Sequence, residues 1–226
     1  MNELIIAIDG PSGAGKSTLS KLLAQRLDYI HLDTGAMYRC VALAAMTQGI
    51  DPGDQVRLGA LAEQLTIDFV HTPTGDLVLL DGQDVSAAIR TPEVSLLTSK
   101  VSAAPQVRSA LVTLQRRLGK SGGVVLEGRD IGTVVFPQAQ VKFFLSATDA
   151  ERGQRRYDEL IAKGVAVSLQ QTISEVVARD LADSEREHAP LLQADDAVVI
   201  DSTNLSIDEV LAIMVGIVQT RRKEYL

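Results

Sequence analysis

Apolar positions along this chain follow two periods, and each change of period marks an element. Leu4 to Ile8 is a short unbroken apolar run closed by Asp9-Gly10, the pattern of a strand buried on both faces. From Ser17 to Leu27 the apolar residues Leu19, Leu22, Leu23 and Leu27 recur at helical spacing, and Tyr29 to Leu32 reads as a second short strand. Strand, loop, helix and strand together make a parallel crossover. A helix from Gly35 to Met46, a turn over Gly49 to Gly53 and a further helix ending near Leu65 follow.

Residues 66–90 change character. Thr66 to Val70 alternates, Thr72 to Asp76 is a turn cluster with Pro73 and Gly75, and Leu77 to Leu80 resumes, which predicts a hairpin in a small antiparallel insert. Helices over Pro92 to Ser102 and Pro105 to Leu118 each open on proline, where its missing donor does no harm. Val124 to Leu126, Val141 to Leu145 and Ala197 to Ile200 complete five core strands separated by helical stretches, an α/β order. Internal repeats and low-complexity segments are absent from the sequence, which removes solenoid and linker readings.

At 226 residues the chain suits one globular unit with a small inserted lobe. Its 46% hydrophobic and 23% charged residues exclude a disordered, collagenous or membrane-spanning class. The longest apolar run, Val210 to Val218, is far short of the roughly 20 residues a bilayer needs and reads as a core helix segment. No basic residue precedes the first apolar stretch, so a mature, cytoplasmic chain is expected. A lone cysteine, Cys40, makes neither an intrachain disulfide nor a zinc site and is expected in the core of a helix. The three histidines, His31, His71 and His188, have no metal-site or triad spacing.

The net charge of −7 argues against a broad nucleic-acid surface but not against a small anionic ligand. Of the 22 basic residues 15 are arginine, whose planar fork fits phosphate bidentately, so their placement matters more than their sum.

Gly10-Pro11-Ser12-Gly13-Ala14-Gly15-Lys16-Ser17 matches G-x-x-x-x-G-K-[ST] between a strand and a helix, the context a phosphate loop requires. Its backbone N–H groups would turn around phosphate oxygens, with Lys16 reaching the transferring phosphate and Ser17 ligating Mg²⁺. GTPases, ATPases and kinases share such a loop. The two asparagines, Asn2 and Asn204, are not followed by lysine, which removes the guanine-reading Asn-Lys-x-Asp element. Asp33 and Asp201, each ending an apolar strand, leave a motor-type ATPase open.

Thr34 and Arg39, after the second strand, fit a second anion site at a helix N-terminus, and equally a plain helix cap with a solvated arginine. Glu127-Gly128-Arg129-Asp130 closes another apolar strand; it reads either as a surface turn or as Arg129 on phosphate with Asp130 on a polar ligand edge. Arg152, Arg155 and Arg156 share one predicted helix face, as do Arg179, Asp183 and Arg186. A cationic trio on one face repels itself unless an anion sits there or nearby Glu151, Asp158, Glu185 and Glu187 neutralise it.

The runs Ile6 to Thr18, Leu32 to Arg39 and Glu127 to Pro137, the set Arg179-Asp180, Asp183 and Arg186, and Val199 to Thr203 together resemble the nucleoside monophosphate kinases, and among them the bacterial cytidylate kinases. Ile89 to Val94 is similar to the extended monophosphate-binding insert of the bacterial enzymes. The resemblance implies a P-loop fold with a five-stranded parallel sheet flanked by helices, an antiparallel and helical insert, and a short helical lid. Its boundaries would be a core of about 1–35, 105–150 and 190–226, a monophosphate-binding region of about 36–104 and a lid of about 150–188.

It further implies transfer from ATP to CMP or dCMP with Mg²⁺, by a monomer needing no nucleic acid or membrane. The loop from Gly10 to Thr18 would bind ATP. The acceptor phosphate would meet Thr34, Arg39, Arg129 and Arg186, the ribose Arg179 and Asp183, and the ring Tyr38. Cytosine would be read by Ser99, Arg108 and Asp130, which suits its amino donor and its O2 and N3 acceptors. Lys16, Arg129, Arg186 and the lid arginines Arg152, Arg155 and Arg156 would be catalytic, and Ser202 and Thr203 would lie near adenine. Three positions depart from the pattern: Ser17 where several relatives have glycine, Thr34 where serine is frequent, and Ala182 where some carry arginine. Another small-molecule P-loop kinase, for uridylate or shikimate, and a nucleotide-binding regulatory module without turnover are the alternatives.

Overall fold

In chain order the elements are β1 (Ile5–Asp9), α1 (Lys16–Leu27), β2 (Ile30–Asp33), α2 (Thr34–Thr47), α3 (Gln55–Gln64), β3 (Ile67–Thr72), β4 (Gly75–Leu80), β5 (Gln83–Asp84), α4 (Pro92–Val101) and α5 (Pro105–Gly119). Then come β6 (Val124–Gly128), β7 (Val141–Ser146), α6 (Asp149–Ala162), α7 (Leu169–Glu185), β8 (Val198–Asp201) and α8 (Ile207–Glu224). This computed structural model describes residues 3–72 and 75–225. Pro73 and Thr74 of the expected hairpin turn lie outside the described residues.

Five strands form one sheet in the order β2-β6-β1-β7-β8, with β1 parallel to β6 and β7, and β7 parallel to β8. The unbroken apolar runs are explained by position: β1, β6 and β7 are central and almost wholly buried, while the edge strands β2 and β8 carry exposed residues. Register sets Asp9 level with Gly128 and Ile8 with Glu127, so the loops after β1 and β6 emerge at one end of the sheet. Loops at the carboxyl ends of parallel strands are where such sheets carry their ligands.

The chain clusters into two compact units, one running to Leu32 and resuming at Gly119, the other Asp33–Leu118. In the first, Ile6, Ile8, Leu19, Leu23, Phe143, Leu145 and Met214 form the core beneath α1 and α8. Each large side chain fully buried there contributes roughly 1.5–3 kcal/mol. Ser206 and Glu209 close a capping box at the start of α8.

In the second, Met37, Cys40, Val41, Leu58, Ile89, Val94, Val107 and Leu111 pack together. Cys40 is fully buried, and burial pushes its thiol up to about 12. The Asp33 carboxylate caps α2 by accepting from Ala36 N–H at 2.9 Å, and Thr91 caps α4 ahead of Pro92. Up to Leu118, α5 belongs to this unit, because Val107, Leu111, Leu114 and Leu118 face its apolar cluster; the expected boundary assigns 105–118 to the core.

The insert is a three-stranded sheet, β3-β4-β5, where the sequence pattern predicts two strands. Its third strand follows a two-residue turn, Asp81-Gly82, in which both residues have positive φ. Asp-Gly is the residue pair such hairpin turns select. Among the described residues no helix is long and apolar enough to cross a membrane.

Candidate active site

The loop between β1 and α1 is shaped by its glycines. At Gly10 φ is +145° and a Cβ would strike the Leu145 carbonyl oxygen; at Gly13 φ is +76° and a Cβ would come within 2.6 Å of the Arg152 carbonyl oxygen. No side chain caps α1, whose N-cap is Gly15, so its first N–H groups are left for a ligand. Lys16 is 7% exposed and its Nζ donates to the Pro11 carbonyl oxygen at 2.6 Å. Burial, and after it the Arg129 guanidinium, push its pKa well below the usual lysine value, with Arg179 acting in the same sense. The positive charge of Arg129 and Arg179 is felt at Lys16, beside a loop rich in N–H donors, and an oligophosphate would neutralise such a field.

Next to Lys16, Ser17 Oγ donates to Glu127 Oε2 at 2.7 Å, and Glu127 Oε1 lies 3.2 Å from His31 Nε2, which in turn lies 3.0 Å from Ser20 Oγ. Glu127 is buried at the end of β6. Burial raises its pKa, but hydrogen bonding and charge from His31, the Ser17 hydroxyl and Lys16 outweigh this and hold it below the ordinary value. Asp9 is also buried and accepts from Ile131 N–H at 2.8 Å and Gly132 N–H at 2.7 Å. Those amides open a π-helical turn, Ile131–Val135, in which Val135 N–H reaches the Asp130 carbonyl at 3.1 Å. Such turns often mark functional positions.

Among the described residues no cluster of three or more His, Cys, Asp or Glu forms a metal cage. Mg²⁺ needs none, since it is usually held by one or two oxygen ligands together with substrate phosphates. Ser17 beside the Glu127 carboxylate fits that demand, and the hydroxyl keeps lone pairs available while its hydrogen is given to Glu127.

Beyond β6, Arg129 Nε donates to Asp183 Oδ2 at 2.9 Å. Arg186 lies 3.5 Å from Asp183 Oδ1 through Nη1 and 3.7 Å from Asp130 Oδ1 through Nη2. Spacing predicts Arg179, Asp183 and Arg186 on one helix face; instead α7 stops at Glu185 and Arg186 is extended, its Nε donating to the Ala189 carbonyl at 2.5 Å. Ending the helix there turns Arg186 toward Asp130 and Asp183.

The three α6 arginines expected to belong to a lid do not form a bare cationic face. Arg152 is 4% exposed and donates to Asp180, Asp149, the Ser12 carbonyl at 2.8 Å and the Ala147 carbonyl at 3.0 Å. Arg155 donates to Glu151 at 2.9 Å and, at 3.0 and 2.7 Å, to the hydroxyl and carbonyl oxygens of Ser202. Arg156, half-buried like Arg155, is paired with Glu159 at 2.7 Å. Carboxylates one turn away and on α7 relieve the repulsion.

In the second unit, Thr34 is buried at the start of α2 and Arg39 Nη1 sits 3.7 Å from Asp33 Oδ2, which Arg90 Nη2 also approaches at 3.7 Å. Arg39 Nη1 is buried without a hydrogen-bond acceptor. The Arg108 guanidinium lies over the Tyr38 ring, 5.4 Å from its centroid, and donates to the Ser102 carbonyl at 3.3 Å. Ser99 is exposed on α4. Asp33 caps α2, Asp201 accepts from Thr203 N–H at 2.9 Å, and the carboxylate hydrogen-bonded to Ser17 is that of Glu127.

The family model described as Cytidylate kinase matches residues 6–220. The Cytidylate kinase of Syntrophotalea carbinolica is 62% identical over 221 residues, covering 98% of this chain and 94% of that protein. The Cytidylate kinase of Geobacter sulfurreducens is 60% identical over 220 residues, covering 97% and 94%. This chain belongs to the cytidylate kinase family. A solved shikimate kinase from Bacteroides thetaiotaomicron, 11% identical with a TM-score of 0.51 and covering 96% of this chain and 98% of its own, shares the fold alone.

Four residues of this cytidylate kinase family member went unassigned in the sequence: Asp9, His31, Glu127 and Asp180. A buried strand that ends in a carboxylate is the signal for Asp9 and Glu127. His31 and Asp180 carry no such mark, since only the fold brings His31 to Glu127 and Asp180 to Ser12 of the loop.

Proposed function

We propose that the protein transfers the γ-phosphoryl group of ATP to the phosphate of CMP and dCMP, giving ADP and CDP or dCDP. The observation that carries the reading is the buried Lys16 on the glycine loop after β1, next to a Ser17 held by the buried Glu127 carboxylate. Two phosphate-bearing reactants meet there with no strong base beside them, and none is needed, because the acceptor phosphate is already an anion at neutral pH. Catalysis then rests on positioning and electrostatic stabilisation.

Within the loop from Gly10 to Thr18, the amides from Gly13 onward and Lys16 Nζ hold the donor phosphates, the Ser12 N–H being given to Asp180. Mg²⁺, when bound, would neutralise the charge that develops on the phosphates. Ser17 would hold it, its hydroxyl oriented by Glu127. Thr34, Arg39, Arg129 and Arg186 take the acceptor phosphate, and Arg179 and Asp183 the ribose. Tyr38 lies along the ring, with Ser99, Arg108 and Asp130 reading the base. Uracil reverses donor and acceptor at two of the edges these groups would meet, which leaves buried polar groups unpaired and gives strong discrimination. Arg155 and Arg156 cover the transferring group and exclude water.

The test is ADP release from ATP and Mg²⁺ with CMP, dCMP, UMP, AMP, GMP or shikimate offered separately at equal concentration. CMP and dCMP are expected to lead. Leadership by UMP or shikimate would overturn the base-reading residues, and no acceptor dependence would favour a binding module.

A further inference from the structure

Asp180 has no place among the roles above, yet it joins α7 to the donor loop. Its Oδ1 accepts from Ser12 N–H at 2.8 Å, and its Oδ2 accepts from Arg152 Nη1. The same Nη1 donates to the Ser12 carbonyl at 2.8 Å. Both backbone groups of one loop residue are therefore held by a single buried ion pair. The loop also touches α6 at Gly13, against the Arg152 backbone. Arg152 is anchored in its turn by Asp149 and the Ala147 carbonyl, and Gly153 packs on Ile173 to seat α6 on α7.

We propose that Asp180 is a positioning residue for phosphoryl transfer, which with Arg152 fixes the Ser12 backbone and so holds the loop in its phosphate-binding curve before the donor arrives. The proposal rests on the assignment of this loop to ATP. A loop already held in its binding shape loses little conformational freedom on binding, whereas a loose one loses affinity to ordering. Because Asp180 is flanked on α7 by Arg179 and Asp183, the same helix serves donor and acceptor, and only separate Michaelis constants can tell the two apart.

The decisive variant is Asp180→Asn, which preserves shape but removes the charge facing Arg152. Its KM for ATP is expected to rise about tenfold, with the KM for CMP within about twofold of wild type, the loss of one charge-assisted clamp. An unchanged ATP KM, or a rise confined to CMP, overturns the proposal. A stability effect is separated by Asp180→Leu combined with Arg152→Met, since buried ion pairs replaced by apolar pairs commonly keep their stability. That double variant is expected to melt near wild type with the ATP KM still raised; recovery of the ATP KM would show a merely structural pair.

Amide hydrogen exchange on the unaltered protein needs no variant. Ser12 N–H is expected to be protected before any nucleotide is added, and exchange at the rate of an open loop overturns the clamp. Failure of CMP to stimulate ADP release by the wild type would instead strike the functional reading and leave protection at Ser12 untouched.

Discussion

Ser17 Oγ and Glu127 Oε2 are 2.7 Å apart, which ties the first turn of α1 to the end of β6 through a carboxylate only 4% exposed. The hydroxyl hydrogen is committed to Glu127, so the oxygen faces its other partners as an acceptor. Glu127→Gln keeps the volume but offers Ser17 a weaker acceptor. Outer partners of metal ligands typically cost about 10–100-fold in affinity or activity when lost. Titrating Mg²⁺ at saturating ATP and CMP is expected to show a raised requirement and a loss of that order, with CMP KM nearly unchanged.

Arg129 and Arg186 meet at Asp183, 2.9 and 3.5 Å from its two oxygens. Replacing either with alanine is expected to raise the KM for CMP by about tenfold or more, the loss of a charge-assisted phosphate contact, while the KM for ATP stays near normal. Steady-state kinetics with each substrate varied in turn checks this, and normal acceptor kinetics would reject both assignments.

Arg152 and Arg156, four residues apart, should fail differently. Arg152 is buried among carboxylates and carbonyls, so Arg152→Ala is expected to lower stability by about 3–5 kcal/mol, the cost of leaving a buried partner unpaired. Arg156 is paired only with a half-exposed Glu159, and Arg156→Ala is expected to leave the melting temperature near wild type while lowering kcat. Urea unfolding beside turnover separates the two. Equal loss of stability from both would show that Arg156 is also part of the packing.

The contrast shows what a chain can disclose before it folds. Apolar runs such as Ile5 to Ile8 and Val124 to Leu126 are legible because two-sided burial leaves no room for polar residues, and the glycine loop is legible because a close approach to Leu145 and Arg152 tolerates little else. Helical spacing correctly puts Arg152, Arg155 and Arg156 on one helix, but it cannot say which carboxylates face them. Asp180 lies 28 residues from Arg152 and 168 from Ser12, and such partnerships exist only once α6, α7 and β1 are packed. The end of α7 is equally hidden, because the residues after Glu185 carry no glycine or proline stop until Pro190. The third strand of the insert was open to reading, since Asp81-Gly82 marks its turn, but two residues are too few to show a period.

Asp9 makes the structure sensitive to pH. Burial is the main cause of a carboxyl pKa raised from 3.8 to about 6, assisted by Asp130 and opposed by the amides of Gly132 and Ile131 and by Lys16. A folded-state pKa above the unfolded one means that the folded chain binds the proton more tightly. The stabilisation is therefore complete below about pH 4 and is lost as pH rises through about 6, a swing of roughly 3 kcal/mol. Asp9→Asn has no such titration. Its stability relative to wild type is expected to improve by about that amount between pH 4 and pH 7, whatever the fixed cost of its weaker bonds to the two amides. Urea unfolding of both proteins across this range measures the difference directly. A difference independent of pH would mean that Asp9 is already ionised at pH 5 and that its two amide bonds outweigh its burial.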